Sequence, residues 1–120
     1  MSRLSEDLRA RTKVVASNVI RVYVELPKKR RKVEVLGHQL LRSGTSISAH
    51  ARESSRSRSK AEFCSKLDGL FQEADESLLW LELLREDCNL SSELILKTRR
   101  EISELIAIFV IMISKTRKTL

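Results

Sequence analysis

One proline and three glycines are all that interrupt 120 residues, and that scarcity decides the fold class. Strands joined by tight turns use Gly and Pro at many of their reversals, whereas helices need few breakers and rely on straight-chain residues. The apolar residues make up 42% of the chain. They are mostly Leu, Ile, Val and Ala, and they recur at helical spacing. The expectation is an all-α protein, an antiparallel up-down-up-down four-helix bundle in a single domain over residues 1–120.

The first helix is expected from about Ser5 to Leu26, with Leu4, Leu8, Val15, Val19, Val22 and Leu26 on one face. Ser5 serves as its N-cap, and Glu6 and Asp7 oppose the helix dipole in the first turn. Pro27 stops it, because proline disfavours the α conformation at Leu26 and lacks a donor. A short link from Pro27 to Arg31 makes the next helix an antiparallel neighbour. That helix runs from about Lys32 to Ser54, with Leu36, Leu40, Gly44, Ile47 and Ala51 on one face. Its middle is crowded by small residues: Ser43, Gly44, Thr45, Ser46 and Ser48. Gly44 costs about 1 kcal/mol of helix propensity relative to Ala. Two readings fit it, a close helix crossing where a side chain would not fit, or a local weak point that kinks the helix.

The polar stretch Ser54 to Ser59 is the second break. Ser59 caps the third helix, with Glu62 three residues on as in a capping box. This helix runs from about Lys60 to Glu86 along the stripe Phe63, Leu67, Leu70, Ala74, Leu78, Leu81 and Leu84, widened by Trp80 and Leu83. Asp87 to Leu90 makes the last turn. Ser91 or Ser92 caps the fourth helix, which extends from about Ser92 to Lys115 with Leu94, Ile95, Thr98, Ile102, Leu105, Ile106 and Phe109 facing the core.

From Leu105 to Ile113 the fourth helix is apolar all round. An outer helix of a lone bundle should keep a polar face, so such a stretch marks a contact surface. Leu105, Ile106, Ile108, Phe109, Val110, Met112 and Ile113 are therefore candidates for an interface between subunits of a homo-oligomer. The run is far shorter than the ~20 residues of a membrane span, so no membrane partner is expected. The polar stretch Ser2 to Lys13 does not read as a secretory leader. Cys64 and Cys88 are too few and too isolated for a disulfide framework. They read as buried thiols in a reducing cytoplasm.

Reactive constellations are sparse. His38 and His50 lie twelve residues apart on one helix and cannot share a metal. The Glu-x-x-His pair of a di-iron bundle is absent, as are a Gly-x-Ser-x-Gly elbow, a P-loop and a dinucleotide fingerprint. No catalytic residue, metal or cofactor is assigned, and an enzyme is not expected.

Charge carries more information. Lys and Arg number 23 against 16 Asp and Glu, a formal net charge of +7, which favours an anionic partner such as nucleic acid. Lys28, Lys29, Arg30, Arg31 and Lys32 form an unbroken run at the first link. Arg52, Arg56, Arg58 and Lys60 surround the second break, and Lys115, Arg117 and Lys118 lie near the last residues. In an up-down-up-down bundle the second link shares its pole with the end of the fourth helix, and the 28–32 run occupies the other pole. These twelve cations are the candidate phosphate contacts for RNA or DNA, which such patches bind without reading sequence.

Three stretches together carry a family resemblance. The first is Gly37-His-Gln-Leu-Leu-Arg-Ser-Gly-Thr-Ser-Ile-Ser-Ala49, followed by Arg52-Glu53 and the basic serine-rich turn. The second is Ser59-Lys-Ala-Glu-Phe-Cys-Ser-Lys-Leu67, and the third Glu73-Ala-Asp-Glu-Ser-Leu-Leu-Trp-Leu-Glu-Leu-Leu84. In order and spacing, over about Val19 to Ile113, the chain resembles the bacterial four-helix bundle proteins named for intervening sequences in 23S rRNA genes. The accessory variability proteins of diversity-generating retroelements are related to them. The resemblance implies a homopentameric barrel of antiparallel bundles. The retroelement relatives imply binding of nucleic acid and of a reverse transcriptase, although this sequence is closer to the intervening-sequence branch. A protein adaptor, such as an accessory subunit for that reverse transcriptase, is the alternative expectation. Among the family motif residues Arg52, Glu53, Glu62, Phe63, Glu73 and Glu76, a fold-keeping role is the other reading, with Arg52 pairing to Glu62 or Glu73 across helices.

Overall fold

Ser5, Ser59 and Ser92 each stand one residue ahead of a helix, in extended backbone, and each hydroxyl accepts the amide of the residue three positions on: Leu8, Glu62 and Ile95. Such caps satisfy an otherwise orphaned donor and set where a helix starts. The computed structural model describes residues 4–120. Its helices are α1 (Glu6–Glu25), α2 (Arg31–Ser54), α3 (Lys60–Glu86) and α4 (Glu93–Arg117). Ser2 and Arg3, at the start of the polar N-terminal stretch, lie outside the described residues. The expected boundaries are met within two residues. The exception in kind is α2, whose cap position Arg30 offers no side-chain acceptor.

Each helix packs on its sequence neighbours, and α1 closes on α4 to complete a bundle measuring 48 × 21 × 20 Å. The contact between α2 and α3 is the most extensive and that between α1 and α4 the sparsest. The first and third links share one pole. The second link shares the other with the start of α1 and the end of α4. At this second pole, Arg117 bonds Asp68 and the Cys64 thiol lies 3.9 Å from the Ile113 carbonyl.

Gly44 is a close crossing. A Cβ built on it would lie 2.6 and 2.7 Å from the two Cγ atoms of Val19 and 3.0 Å from its Cβ. The helix runs unbroken through this point. At the preceding residue, on the α3 side, the buried hydroxyls of Ser43 and Ser77 meet at 2.7 Å. Small residues thus bring α2 close to both neighbours, and the one buried polar pair they introduce is mutually satisfied. The third link ends α3 through Asn89 in the left-handed region (φ 58°). The Leu90 amide donates back to the Leu84 carbonyl, a Schellman-type close that asparagine tolerates.

The core joins Val15, Val19, Leu40, Ile47, Phe63, Leu67, Leu81, Ile102, Leu105 and Phe109, among others. Leu105, Phe109 and Ile113 are buried inside the single chain, which withdraws them from the expected outer surface. Ile106, Ile108 and Met112 are half-buried, and Val110 and Ile111 are exposed. The physical reason is the 100° step per residue: in a run where every residue is apolar, one third still turns inward. Other exposed apolar side chains are Val14, Ile20 and Val24 on α1, Val35 on α2 and Leu79 on α3. Cys64 and Cys88 are buried free thiols. Among the described residues no helix is long and apolar enough to cross a membrane.

Candidate nucleic-acid interface

The structure separates the twelve candidate cations by what each already holds. Lys28 turns back on α1, whose last turn has no basic residue. Its Nζ donates to the carbonyl of Tyr23 at 2.8 Å and lies near those of Val24 and Leu26, with the ammonium over the Tyr23 ring. This is a C-terminal cap that satisfies orphan carbonyls and opposes the dipole. Arg30 reaches across the pole and donates to the Cys88 carbonyl at 2.9 Å, tying the first link to the third. Lys28 and Arg30 are therefore committed to the fold. Replacing Arg30 by alanine is expected to cost about 1.5 kcal/mol through that charge-assisted bond. Lys29→Ala, on an exposed neighbour with no ion pair among the described residues, should stay within about 0.5 kcal/mol. Urea unfolding of the two variants checks the contrast.

Lys29, Arg31 and Lys32 remain exposed at this first pole. They share it with Glu25, Glu34, Glu86, Asp87 and Glu93, which lie at the ends of the same helices. The local excess of positive charge is therefore small.

The opposite pole differs. Of its acids, Glu53, Glu62 and Asp68 are engaged, by Lys66 at 3.2 Å, by Arg58 at 3.7 Å and by Arg117 respectively, while Glu6, 4.0 Å from Arg9, and Asp7 stand exposed at the start of α1. Arg58 and Arg117 are thus held in ion pairs. Arg52, Arg56, Lys60, Lys115 and Lys118 are exposed with no carboxylate partner among the described residues. The basic excess of the molecule gathers here, from the second link, the end of α2 and the end of α4.

Arg52 makes neither expected cross-helix pair. That role belongs to Arg42, which bonds Glu73 at 3.3 Å and Glu76 at 2.8 Å, while Glu62 takes Arg58. Ten residues along a helix place Arg52 about 80° round from Arg42, on the α1 side. There it lines a groove with Arg9, Lys13 and Ser48. Arg9 and Lys13 carried no signal of their own in the sequence: they are single cations four apart on α1, and only the fold sets them beside α2.

A shallow apolar groove of about 530 Å³ also runs between α3 and α4. It is lined by Phe71, Val110, Ile113 and Ser114 with the Asp68–Arg117 pair and Lys118 at its rim. Of the two histidines, His38 lies on the surface with its Nε2 3.4 Å from the Tyr23 hydroxyl, and His50 rests over Gly69. Among the described residues no three His, Cys, Asp or Glu side chains gather as a metal site.

A family model described as "23S rRNA-intervening sequence protein" matches residues 7–110. Among solved structures, a Bacteroides thetaiotaomicron VPI-5482 protein of unknown function from the S23 ribosomal protein family superposes with a TM-score of 0.79. The two are 29% identical over 88% of this chain and 97% of the other. No curated protein matches the chain.

Proposed function

The chain belongs to the 23S rRNA-intervening sequence protein family, and from that premise we propose that it is a non-enzymatic, basic, oligomeric bundle that binds RNA or DNA through backbone phosphates. The observation that carries this reading is the second pole. Arg52, Arg56, Lys60, Lys115 and Lys118 stand free there, while the neighbouring acids Glu53, Glu62 and Asp68 are already neutralised. Free cations displace counterions from a nucleic acid, and paired ones contribute little. The aromatic residues are too few near this pole for a base-stacking platform, so the contact is with phosphate and not with base. Self-association into the homopentameric barrel of the family resemblance draws support from the outward Val110 and Ile111 of α4 and Val14, Ile20 and Val24 of α1. A closed ring needs two different faces per subunit, and these apolar side chains lie on more than one helix.

Binding to a fluorescein-labelled single-stranded RNA should weaken steeply with salt, the plot of log affinity against log salt falling with a slope steeper than about −2, as three or more phosphate contacts require. A flat plot, or no binding at low salt, refutes the reading.

A second reading is a protein adaptor, for instance beside a reverse transcriptase of a retroelement. The groove of Phe71, Val110 and Ile113 favours it, because apolar clefts with a charged rim suit a polypeptide side chain. Pull-down of one dominant protein, lost in Val110→Asp, would select this reading over the first.

A further inference from the structure

We infer that the groove between α1 and α2 is the seat of one nucleic-acid strand, with Arg9 and Lys13 on one wall and Arg52 and Arg56 on the other. This rests on the phosphate-binding reading above and locates it. Two adjoining depressions form the groove. The first is lined by Arg9, Ala10, Thr12, Lys13, Ser48 and Arg52, and the second by Lys13, Ala16, Thr45, Ser48, Ala49, Arg52, Glu53 and Arg56. They share Lys13, Ser48 and Arg52, so they are one continuous feature.

Four properties suit it to a sugar–phosphate chain. First, the cations are opposed. Arg9 and Lys13 stand one turn apart on α1, and Arg52 faces them from α2 with Arg56 just beyond its end. A strand lying between is contacted from both sides. Secondly, the charge is available. Lys13, Arg52 and Arg56 have no carboxylate partner among the described residues, and Arg9 reaches only the fully exposed Glu6 at 4.0 Å. The single acid of the groove, Glu53, is held by Lys66. Thirdly, the floor is small. Ala10, Ala16, Ser48 and Ala49 leave room for a backbone to approach the helices. Fourthly, the hydroxyls are divided. Thr12 and Thr45 donate to the carbonyls of Arg9 and Leu41, whereas Ser48 has no such bond among the described residues and can donate to a phosphate oxygen. With helical rises of 1.5 Å per residue, the groove is about 10–16 Å long, enough for a short stretch of strand and too short for sequence readout.

The test compares the full chain with Lys13→Gln/Arg52→Gln and with Lys29→Gln/Arg31→Gln, a pair at the opposite pole. The probes are a fluorescein-labelled single-stranded RNA of mixed sequence and DNA of the same sequence. Losing two phosphate contacts should flatten the salt slope by about 1.4 and weaken binding about 25-fold at 0.1 M salt. The groove variant is expected to show this for both probes, with an unchanged thermal melt because both side chains are exposed. The Lys29/Arg31 variant should bind within a few-fold of the parent. Parent-like binding and slope in the groove variant, with loss in the Lys29/Arg31 variant, overturns the groove while leaving phosphate binding intact. Absence of binding by the parent at low salt overturns both. A loss on RNA alone also overturns the groove as drawn, since phosphates are common to both probes.

Discussion

Phe109→Ala should lower the stability of the protein by about 3–5 kcal/mol, the largest effect expected of any single replacement considered. Phe109 is 0% exposed in the middle of α4 and belongs to the same core as Phe63 and Leu105. Truncation removes the transfer free energy of the ring and leaves a cavity that helices on either side, already fixed by their own core contacts, fill only in part. The midpoint of urea unfolding should fall with little change in its slope. The next two residues along the helix give the internal contrast. Val110 is 46% and Ile111 56% exposed, so Val110→Ser/Ile111→Ser removes nothing from the core of the subunit. Any loss of stability in that variant should grow as the protein is diluted, because contacts between subunits are linked to concentration. If Phe109→Ala were no worse than the outward pair, the inward assignment of Phe109 would be wrong.

Gly44→Leu is the second large effect, about 3 kcal/mol of destabilisation. Even a lone Cβ at this position would sit 2.6 Å from Val19. The obstacle includes the Val19 Cβ, which cannot swing aside as the tip of a long side chain can. Relief requires α1 and α2 to separate, which opens the core along both helices. Gly44→Ala should cost less, about 1–2 kcal/mol, since alanine returns up to about 1 kcal/mol of helix propensity. Gly37 provides the control. Its nearest obstacle is Leu26 Cδ1 at 2.7 Å, a mobile methyl, so Gly37→Ala should be neutral or stabilise slightly. For a chain of this size each kcal/mol moves the melting temperature by about 4 °C, so thermal melts separate the three variants. If the clash is the cause, Gly44→Ala should cost less on a Val19→Ala background than in the parent.

The elements whose physics is local were readable from the residues. The three serine caps, the stop at Pro27 and the apolar stripes placed every helix to within two residues, because an N-cap bond or a fixed φ depends only on near neighbours. The run Leu105 to Ile113 was harder for the opposite reason. Where all residues are apolar, periodicity loses contrast: Leu105, Ile106 and Phe109 were read both as core face and as interface candidates, and packing decides that Leu105 and Phe109 turn inward. The basic run at 28–32 looked uniform because its acceptors are backbone carbonyls. Nothing in a sequence marks that Lys28 bonds Tyr23 O or that Arg30 bonds Cys88 O. Arg52 was read as a phosphate contact, with pairing to Glu62 or Glu73 as the other reading, and the face of α2 that meets Glu73 and Glu76 is the one bearing Arg42. Arg9 and Lys13 emerged only when the fold brought α1 alongside the end of α2.

These particulars shift the weight of the basic surface from two poles to one. At the first pole cations hold links together or stand beside acids; at the second Arg52, Arg56, Lys60, Lys115 and Lys118 have no carboxylate partner among the described residues, and Arg52 and Arg56 continue into the α1–α2 groove. A subunit of 13.8 kDa that exposes such a surface and apolar side chains on several helices is expected to act as an assembly, each copy contributing one phosphate-binding groove.

The most direct test is the mass of the full chain in solution by light scattering, alone and with single-stranded RNA, at low and at high salt. The account predicts a multiple of the 13.8 kDa subunit mass for the protein alone at both salt concentrations. With RNA at low salt the mass should rise by that of the bound strand, and the increment should vanish at high salt. A single-subunit mass, or an oligomer whose mass does not change when RNA is added at low salt, would contradict it.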